Sequence, residues 1–466
     1  VHGSHLLRPC TDESKNHPAK SRAISRWRAV LFFNAMQKIL AMILAGGRVD
    51  ELSVLTQLRP KSAVPFGGLY RVIDFPMSSL MHSGIENVGI LTQYRSYSLN
   101  NHIGNGAAWE MVGRHRSVSV LPPYTAHTVS QWYRGPADAV YQNLDFINAR
   151  DPDLVLVLSG DHIYSLDFTP LIEFHNASQA DLTMAFLDVP KVQATRFGVG
   201  KIEMSAASAG GPLLDYQEKP LSPPDWPGDH VSASLTIHLF SARILHEVLE
   251  KHTRLAPKTH EFGKDIIPLM LGKYRVFGYK YDTYWGYTRT IDEYWQTNMD
   301  LLGENPKIDP ERWQVRTNIE HNHIRDRIPA IIGDGAEIND SLIYSGCKIF
   351  GKVEDSILFP GVEVAAGAVV KKSILMFDTR VEAGSQLHKV ISDVEVTIGP
   401  ECRIGFGDPS IPNEDYPQLL QSGITLIGRG VTMPGERQIG CNCIVQPNMS
   451  AAQFRKKEYG SGVSVE

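Results

Sequence analysis

At 466 residues the chain exceeds the ~100–200 residues of an ordinary domain, so two or three domains are expected. Hydrophobic residues at 42% and charged residues at 21% exclude a wholly disordered chain, and a formal charge of -5 argues against the basic face that nucleic-acid partners require. Five scattered cysteines are too few for a disulfide framework, and no apolar run approaches the ~20 residues that span a bilayer, so a cytoplasmic protein without a membrane partner is expected.

Residues 1–35 begin without methionine and are polar and basic. They read as an extension ahead of the fold, disordered or extraneous, with Met36 a candidate start; Arg22, Arg26 and Arg28 faintly suggest a transit peptide, which Asp12 and Glu13 oppose. From Ile39 to about Asp300, short apolar runs alternate with longer amphipathic stretches, the rhythm of strands linked by helices in a mostly parallel α/β sheet. Three runs end in polar or glycine residues: Ile39–Ala45 before Gly46-Gly47, Asn87–Leu91 before Thr92-Gln93, and Asp153–Leu158 before Ser159-Gly160-Asp161. Ligands of open parallel sheets bind at that carboxyl edge, so the chemistry should gather there.

Residues 304–328 are polar and read as a linker. After Pro306 the helical spacing fades, and apolar β-branched residues recur about every six positions amid Gly and Asp. Ile332-Gly333-Asp334-Gly335-Ala336-Glu337-Ile338 is echoed from Ile398 to Ile404 and from Ile427 to Met433, while Val364 with Val370 and Val381 with Leu387 keep the step. Such repeats resemble a hexapeptide β-helix, in which stacked coils bury one another's apolar residues; a β-sandwich is the alternative. The expected organisation is an extension at 1–35, a first domain at 36–303, a linker at 304–328, a β-helix at 329–450 with an irregular insertion at 405–423, and a loose tail at 451–466. Cys441-Asn442-Cys443 lacks the second half of a zinc site and reads as a pair of inert thiols.

Leu44-Ala45-Gly46-Gly47 follows a buried run, and glycines there let backbone amides approach phosphate oxygens. Arg59 to Gly68 and Tyr70 to Phe75 add cations, glycines and a fixed turn, which together point to an anionic ligand. Trp132-Tyr133-Arg134-Gly135-Pro136-Ala137-Asp138-Ala139-Val140, Ser159-Gly160-Asp161-His162-Ile163-Tyr164, Phe197-Gly198-Val199, Glu218-Lys219-Pro220 and Phe262 to Pro268 follow in order. By these motifs, in this order over residues 37 to 445, the chain resembles the ADP-glucose pyrophosphorylases.

The resemblance implies a Rossmann-like nucleotidyltransferase domain followed by a left-handed parallel β-helix of hexapeptide repeats. It implies conversion of ATP and glucose 1-phosphate to ADP-glucose and pyrophosphate in glycogen and α-glucan synthesis, with metabolite effectors and a homotetramer or a hetero-oligomer with a related subunit. By resemblance Leu44, Ala45, Gly46 and Gly47 bind the nucleotide, with Gly46, Gly47 and Lys61 facing the ATP phosphates, Gln93 and the turn Gly135, Pro136, Ala137 contact adenine, and Tyr133, Gly198, Glu218, Lys219 and Ser234 hold glucose 1-phosphate. Phosphoryl chemistry asks the protein mainly to position two anions and neutralise charge, which needs Mg2+ and a few cations. Asp161, a carboxylate at a strand end, is the expected Mg2+ ligand and, with Lys61, the catalytic pair; His162 beside it reads as a packed histidine.

Two motifs depart from the family. Its G-G-x-G-x-R-L loop is here Gly46-Gly47-Arg48-Val49-Asp50-Glu51-Leu52, which sets a carboxylate where an arginine should neutralise pyrophosphate. Its W-R-D-V-G-T is here Trp285-Gly286-Tyr287-Thr288-Arg289-Thr290, which sets Tyr287 at the second metal-binding aspartate. Leu69 replaces a lysine and Thr236 a glycine. Arg48 and Asp282 are the candidates to compensate. Three readings stand open: an active adenylyltransferase, a catalytically impaired regulatory or assembly subunit, and a nucleotidyltransferase for another sugar phosphate or base.

Overall fold

The computed structural model describes residues 37–47, 49–123, 132–205, 208–255 and 258–466, so the readings of residues 1–35, Met36 and Arg48 lie outside the described residues. Nine strands form the first sheet: β1 (Ile39–Leu44), β2 (Asn87–Leu91), β3 (Ser117–Leu121), β4 (Leu154–Ser159), β5 (Leu182–Pro190), β6 (Gly198–Ile202), β7 (Gly210–Glu218), β8 (His230–Ser241) and β9 (Val276–Lys280), in the spatial order β3-β2-β1-β4-β8-β5-β9-β7-β6. β3, β2, β1 and β4 are mutually parallel, as are β5 and β9, whereas β8 runs antiparallel to both β4 and β5. The mostly parallel α/β sheet expected is therefore a mixed one.

The register brings the functional ends together. Leu44 pairs with Leu91 on one side and Ser159 on the other, so Gly46, Gln93 and Asp161 leave the sheet side by side. Leu40, Met42, Val155 and Val157 face one core, and Ala41, Ile43, Leu156 and Leu158 the other. A central strand with both faces covered reads as a continuous apolar run, which is how these strands announce themselves.

The second architecture is a β-helix with parallel sheets of six, seven and seven strands on its faces, which removes the sandwich alternative. In one face Ile349 pairs with Val364, Val364 with Val381, Val381 with Ile398 and Ile398 with Met433; all but Ile349 are residues of the six-residue step. Their side chains stack inward, fully or almost fully buried, together with Cys347, Cys402 and Cys443. Serines form a second ladder: Ser341 Oγ accepts from Ser356 N at 3.0 Å, Ser356 Oγ from Ser373 N at 3.0 Å and Ser373 Oγ from Val390 N at 3.1 Å. Residues 451–466 correct the expected loose tail, because Glu458–Tyr459 and Ser464–Val465 pair in parallel with Gln438–Ile439 and Ile444–Val445 and add to the stack. Phe454 and Tyr459 cap the apolar interior there, burial that an isolated tail could not obtain.

The domains share a core. Leu52, Val54, Val64, Phe66 and Phe75 of the first pack in one buried cluster with Ile357, Phe359, Ile374 and Met376 of the second. The Arg59 guanidinium bonds both carboxylate oxygens of Asp393, with the two side chains 6% and 1% exposed. Tyr344 donates its hydroxyl to the Gly67 carbonyl at 2.6 Å. The stretch read as a linker is itself packed down, with Ile308 and Ile324 buried and Trp313 edge-on to Phe75.

Candidate active site

Two adjoining cavities open at the carboxyl edge of the sheet. The larger, about 380 Å³, is lined by Leu44, Ala45, Gly46, Gly47, Lys61, Gln93, Tyr133, Gly135 and Pro136 among others. The smaller, about 200 Å³, is lined by Gly198, Tyr216, Glu218, Lys219, Ser234 and His238 among others. Asp161 and Arg289 belong to both linings, so they mark the junction.

Most of the residues expected in the site thus converge, with two exceptions. Tyr133, grouped by resemblance with Glu218 and Lys219, lines the other cavity: its backbone N–H donates to Gln93 Oε1 at 2.6 Å and its hydroxyl to the Leu121 carbonyl at 3.1 Å. Ala137 lies below the cavity floor, fully buried, with its N–H donating to the His260 carbonyl at 2.9 Å. Gly135 above it has to be glycine, since a Cβ there would stand 2.4 Å from that same carbonyl oxygen.

Asp161 is held from three directions. Lys61 Nζ lies 3.1 Å from Oδ2, Ser159 donates its hydroxyl to Oδ1, and His162 Nε2 stands 3.4 Å from Oδ1. Burial alone would raise its pKa, but the charge of Lys61 and the hydrogen bonds from Ser159 and Lys61 outweigh it and hold the carboxyl well below the usual range, so it is ionised whenever the protein is folded near neutrality. Lys61 is 2% exposed; burial pulls its pKa down, and Asp161 opposes that pull. His162 is brought by burial to about 4 and is neutral, a packed imidazole as its sequence context suggests.

Tyr287 sits in an aromatic cage, with ring centroids 5.2 Å from His162, 5.1 Å from Phe197 and 5.4 Å from Trp285, and with Lys61 Nζ 5.4 Å from its own centroid. Burial raises its pKa, so the hydroxyl stays protonated and is no carboxylate substitute. Asp282 is exposed and absent from both linings, so it does not compensate. Thr236, at the expected glycine, keeps the glycine's backbone: φ is +56° at the irregularity between Ser234 and His238, strain of about 1–3 kcal/mol for a β-branched residue.

Arg289, at the junction, was not assigned from sequence. Backbone bonds between Ile163 and Gly286, 3.0 and 2.8 Å, lay the segment after Gly286 beside Asp161 and so aim Arg289 at the cavities. Its Nε and Nη2 donate to Glu51 Oε1 at 2.9 and 2.7 Å. The unexpected carboxylate of the glycine-rich loop is therefore neutralised in place, and burial notwithstanding, Arg289 keeps its pKa below the ordinary value. The signal in the sequence was an arginine in a motif position where the family has glycine.

A family model described as Nucleotidyl transferase matches residues 40–304, and one described as GlmU-like, C-terminal hexapeptide matches residues 331–427. Among similar curated proteins, a glucose-1-phosphate adenylyltransferase of Acetivibrio thermocellus is 37% identical over 434 residues, 92% of this chain and 98% of that protein. One from Thermomicrobium roseum is 40% identical over 435 residues, again 92% and 98%. One from Clostridium perfringens strain SM101 is 41% identical over 377 residues, 80% and 93%.

Proposed function

The chain belongs to the glucose-1-phosphate adenylyltransferase family, a family of nucleotidyltransferases, and from that premise we propose that its paired cavities join ATP and glucose 1-phosphate into ADP-glucose and pyrophosphate. The observation that carries this reading is Asp161 at the junction of the two cavities. In the larger cavity Leu44, Ala45, Gly46, Gly47, Gln93 and the Gly135-Pro136 turn receive the nucleotide, with Lys61 towards its phosphates. In the smaller one Lys219 meets the sugar phosphate, while Glu218, Ser234 and the backbone at Gly198 meet sugar hydroxyls.

A phosphate oxygen of glucose 1-phosphate attacks the α-phosphorus, the bond from that phosphorus to the oxygen bridging the β-phosphate breaks, and pyrophosphate leaves with the bonding pair. No proton has to move, which suits a site whose histidine is neutral and whose work is alignment and charge compensation. The magnesium dependence typical of the family fits the donors here. Asp161 is the one carboxylate common to both linings among the described residues, and a single carboxylate suffices where phosphate oxygens and water complete the shell. When bound, the ion neutralises charge building on the phosphates.

The test is pyrophosphate release by the full chain from ATP and glucose 1-phosphate with magnesium, with GTP, UTP and dTTP as competitors. Release driven best by ATP supports the reading; no release with any nucleotide removes it.

The smaller cavity yields a separate expectation. A Cβ on Gly198 would stand 1.9 Å from the Tyr216 hydroxyl oxygen and 2.6 Å from Glu218 Oε2, atoms already bonded to each other at 2.5 Å. Gly198→Ala should therefore raise KM for glucose 1-phosphate by about tenfold or more, because displaced binding groups lose their alignment, and leave KM for ATP nearly unchanged. Initial rates at varied concentrations of each substrate check this, and an equal rise in both KM values would refute it.

A further inference from the structure

The two departures from the family's motifs touch. Glu51 stands in the glycine-rich loop and Arg289 in the segment after Gly286, yet Glu51 Oε1 accepts two bonds from Arg289. A surface tie between loops would account for that contact alone, but three further observations point into the cavities. Arg289 lines both of them and so stands at the junction where the reacting phosphates meet. Because one oxygen of Glu51 takes both Nε and Nη2, Nη1 remains directed at the Tyr287 hydroxyl at 3.4 Å, a long bond that leaves donor capacity unused. Finally, Lys61 shares the larger lining with Arg289 and Lys219 the smaller, so cationic side chains line both sides of the junction where a polyanion would pass.

We propose that Arg289 is a catalytic residue that binds the phosphates of the nucleotide and stabilises the departing pyrophosphate, and that Glu51 is the residue that positions it. The site thereby regains, from a neighbouring segment, the guanidinium that Glu51 displaced from the loop. The proposal rests on the adenylyl-transfer reading for its substrate and adds the group that handles the leaving half. Glu51 leaves part of the guanidinium fork open, and a planar fork pairs two phosphate oxygens at once.

Calorimetric titration of inorganic pyrophosphate with magnesium chloride into the full chain tests this independently of turnover, with pyrophosphate-release kinetics run beside it. Arg289→Gln should weaken pyrophosphate binding about tenfold to a hundredfold, the loss of a charged hydrogen-bond donor, and keep glucose 1-phosphate affinity within about threefold. Arg289→Lys should recover part of that loss, and Glu51→Gln, which keeps the arginine, should cost less than Arg289→Gln. A melting curve for each variant separates binding from folding. Wild-type affinity for pyrophosphate in Arg289→Gln overturns the proposal, as do equal losses of affinity and melting temperature in Arg289→Gln and Glu51→Gln, the mark of a structural tie. If the wild type binds pyrophosphate through Arg289 but releases none from ATP, the anion site stands and the adenylyl-transfer reading fails.

Discussion

Asp161→Asn should lower kcat for pyrophosphate release by about a thousandfold, the scale seen when a preorganised charge at a reacting phosphate or acyl centre is removed. Two losses combine. The junction of the cavities loses its carboxylate, and Lys61, 2% exposed and 3.1 Å from that carboxylate, loses the charge that opposes the effect of burial on its pKa. Asparagine keeps the volume and can still accept from Ser159, so the melting temperature should move little relative to the rate. Steady-state kinetics with a melting curve on the same preparation decide the matter: a rate within tenfold of wild type would leave Asp161 without the role assigned to it.

The largest effect on stability should come from the pair that ties the domains. Asp393→Ala strands the Arg59 guanidinium, 6% exposed, in the shared interior, and breaking a buried pair from one side costs about 3–5 kcal/mol. Arg59→Met with Asp393→Leu removes both charges and should be far milder than either single change, because no ion is left unpaired. Urea denaturation of Asp393→Ala, Arg59→Met and the double variant reads this directly. A loss below about 1 kcal/mol in Asp393→Ala would match a solvated surface pair instead.

Much of the fold was legible because burial writes itself as periodicity. The apolar runs at Ile39–Leu44 and Leu154–Ser159 and the six-residue step through Val364, Val381 and Ile398 are each forced by a surface that must be covered. The coil formed by residues 458–465 escaped because, although Tyr459 and Val465 are buried and keep the step, residues 446–457, with a helical turn at Ala451–Gln453, interrupt the repeat ahead of them. In the site, residues at strand ends were legible since sheet register alone gathers them. Arg289 was not, because its position follows from a single bridge between Ile163 and Gly286 that no local pattern encodes. Nor does a sequence distinguish a carboxylate that repels phosphate from one already committed to an arginine 238 positions away.

The common cluster of Leu52, Phe66, Phe359 and Met376 also bears on how this polypeptide can be divided. Severed after residue 303, the amino-terminal piece would expose these aromatic and aliphatic groups as a bare sticky face, and the same cut would strip the solenoid of its cover. The halves are therefore not interchangeable cassettes: grafting either onto a foreign neighbour demands a matching greasy contour, and the Arg59 to Lys61 stretch, which spans from that seam to the reacting centre, would be misplaced by any poor fit.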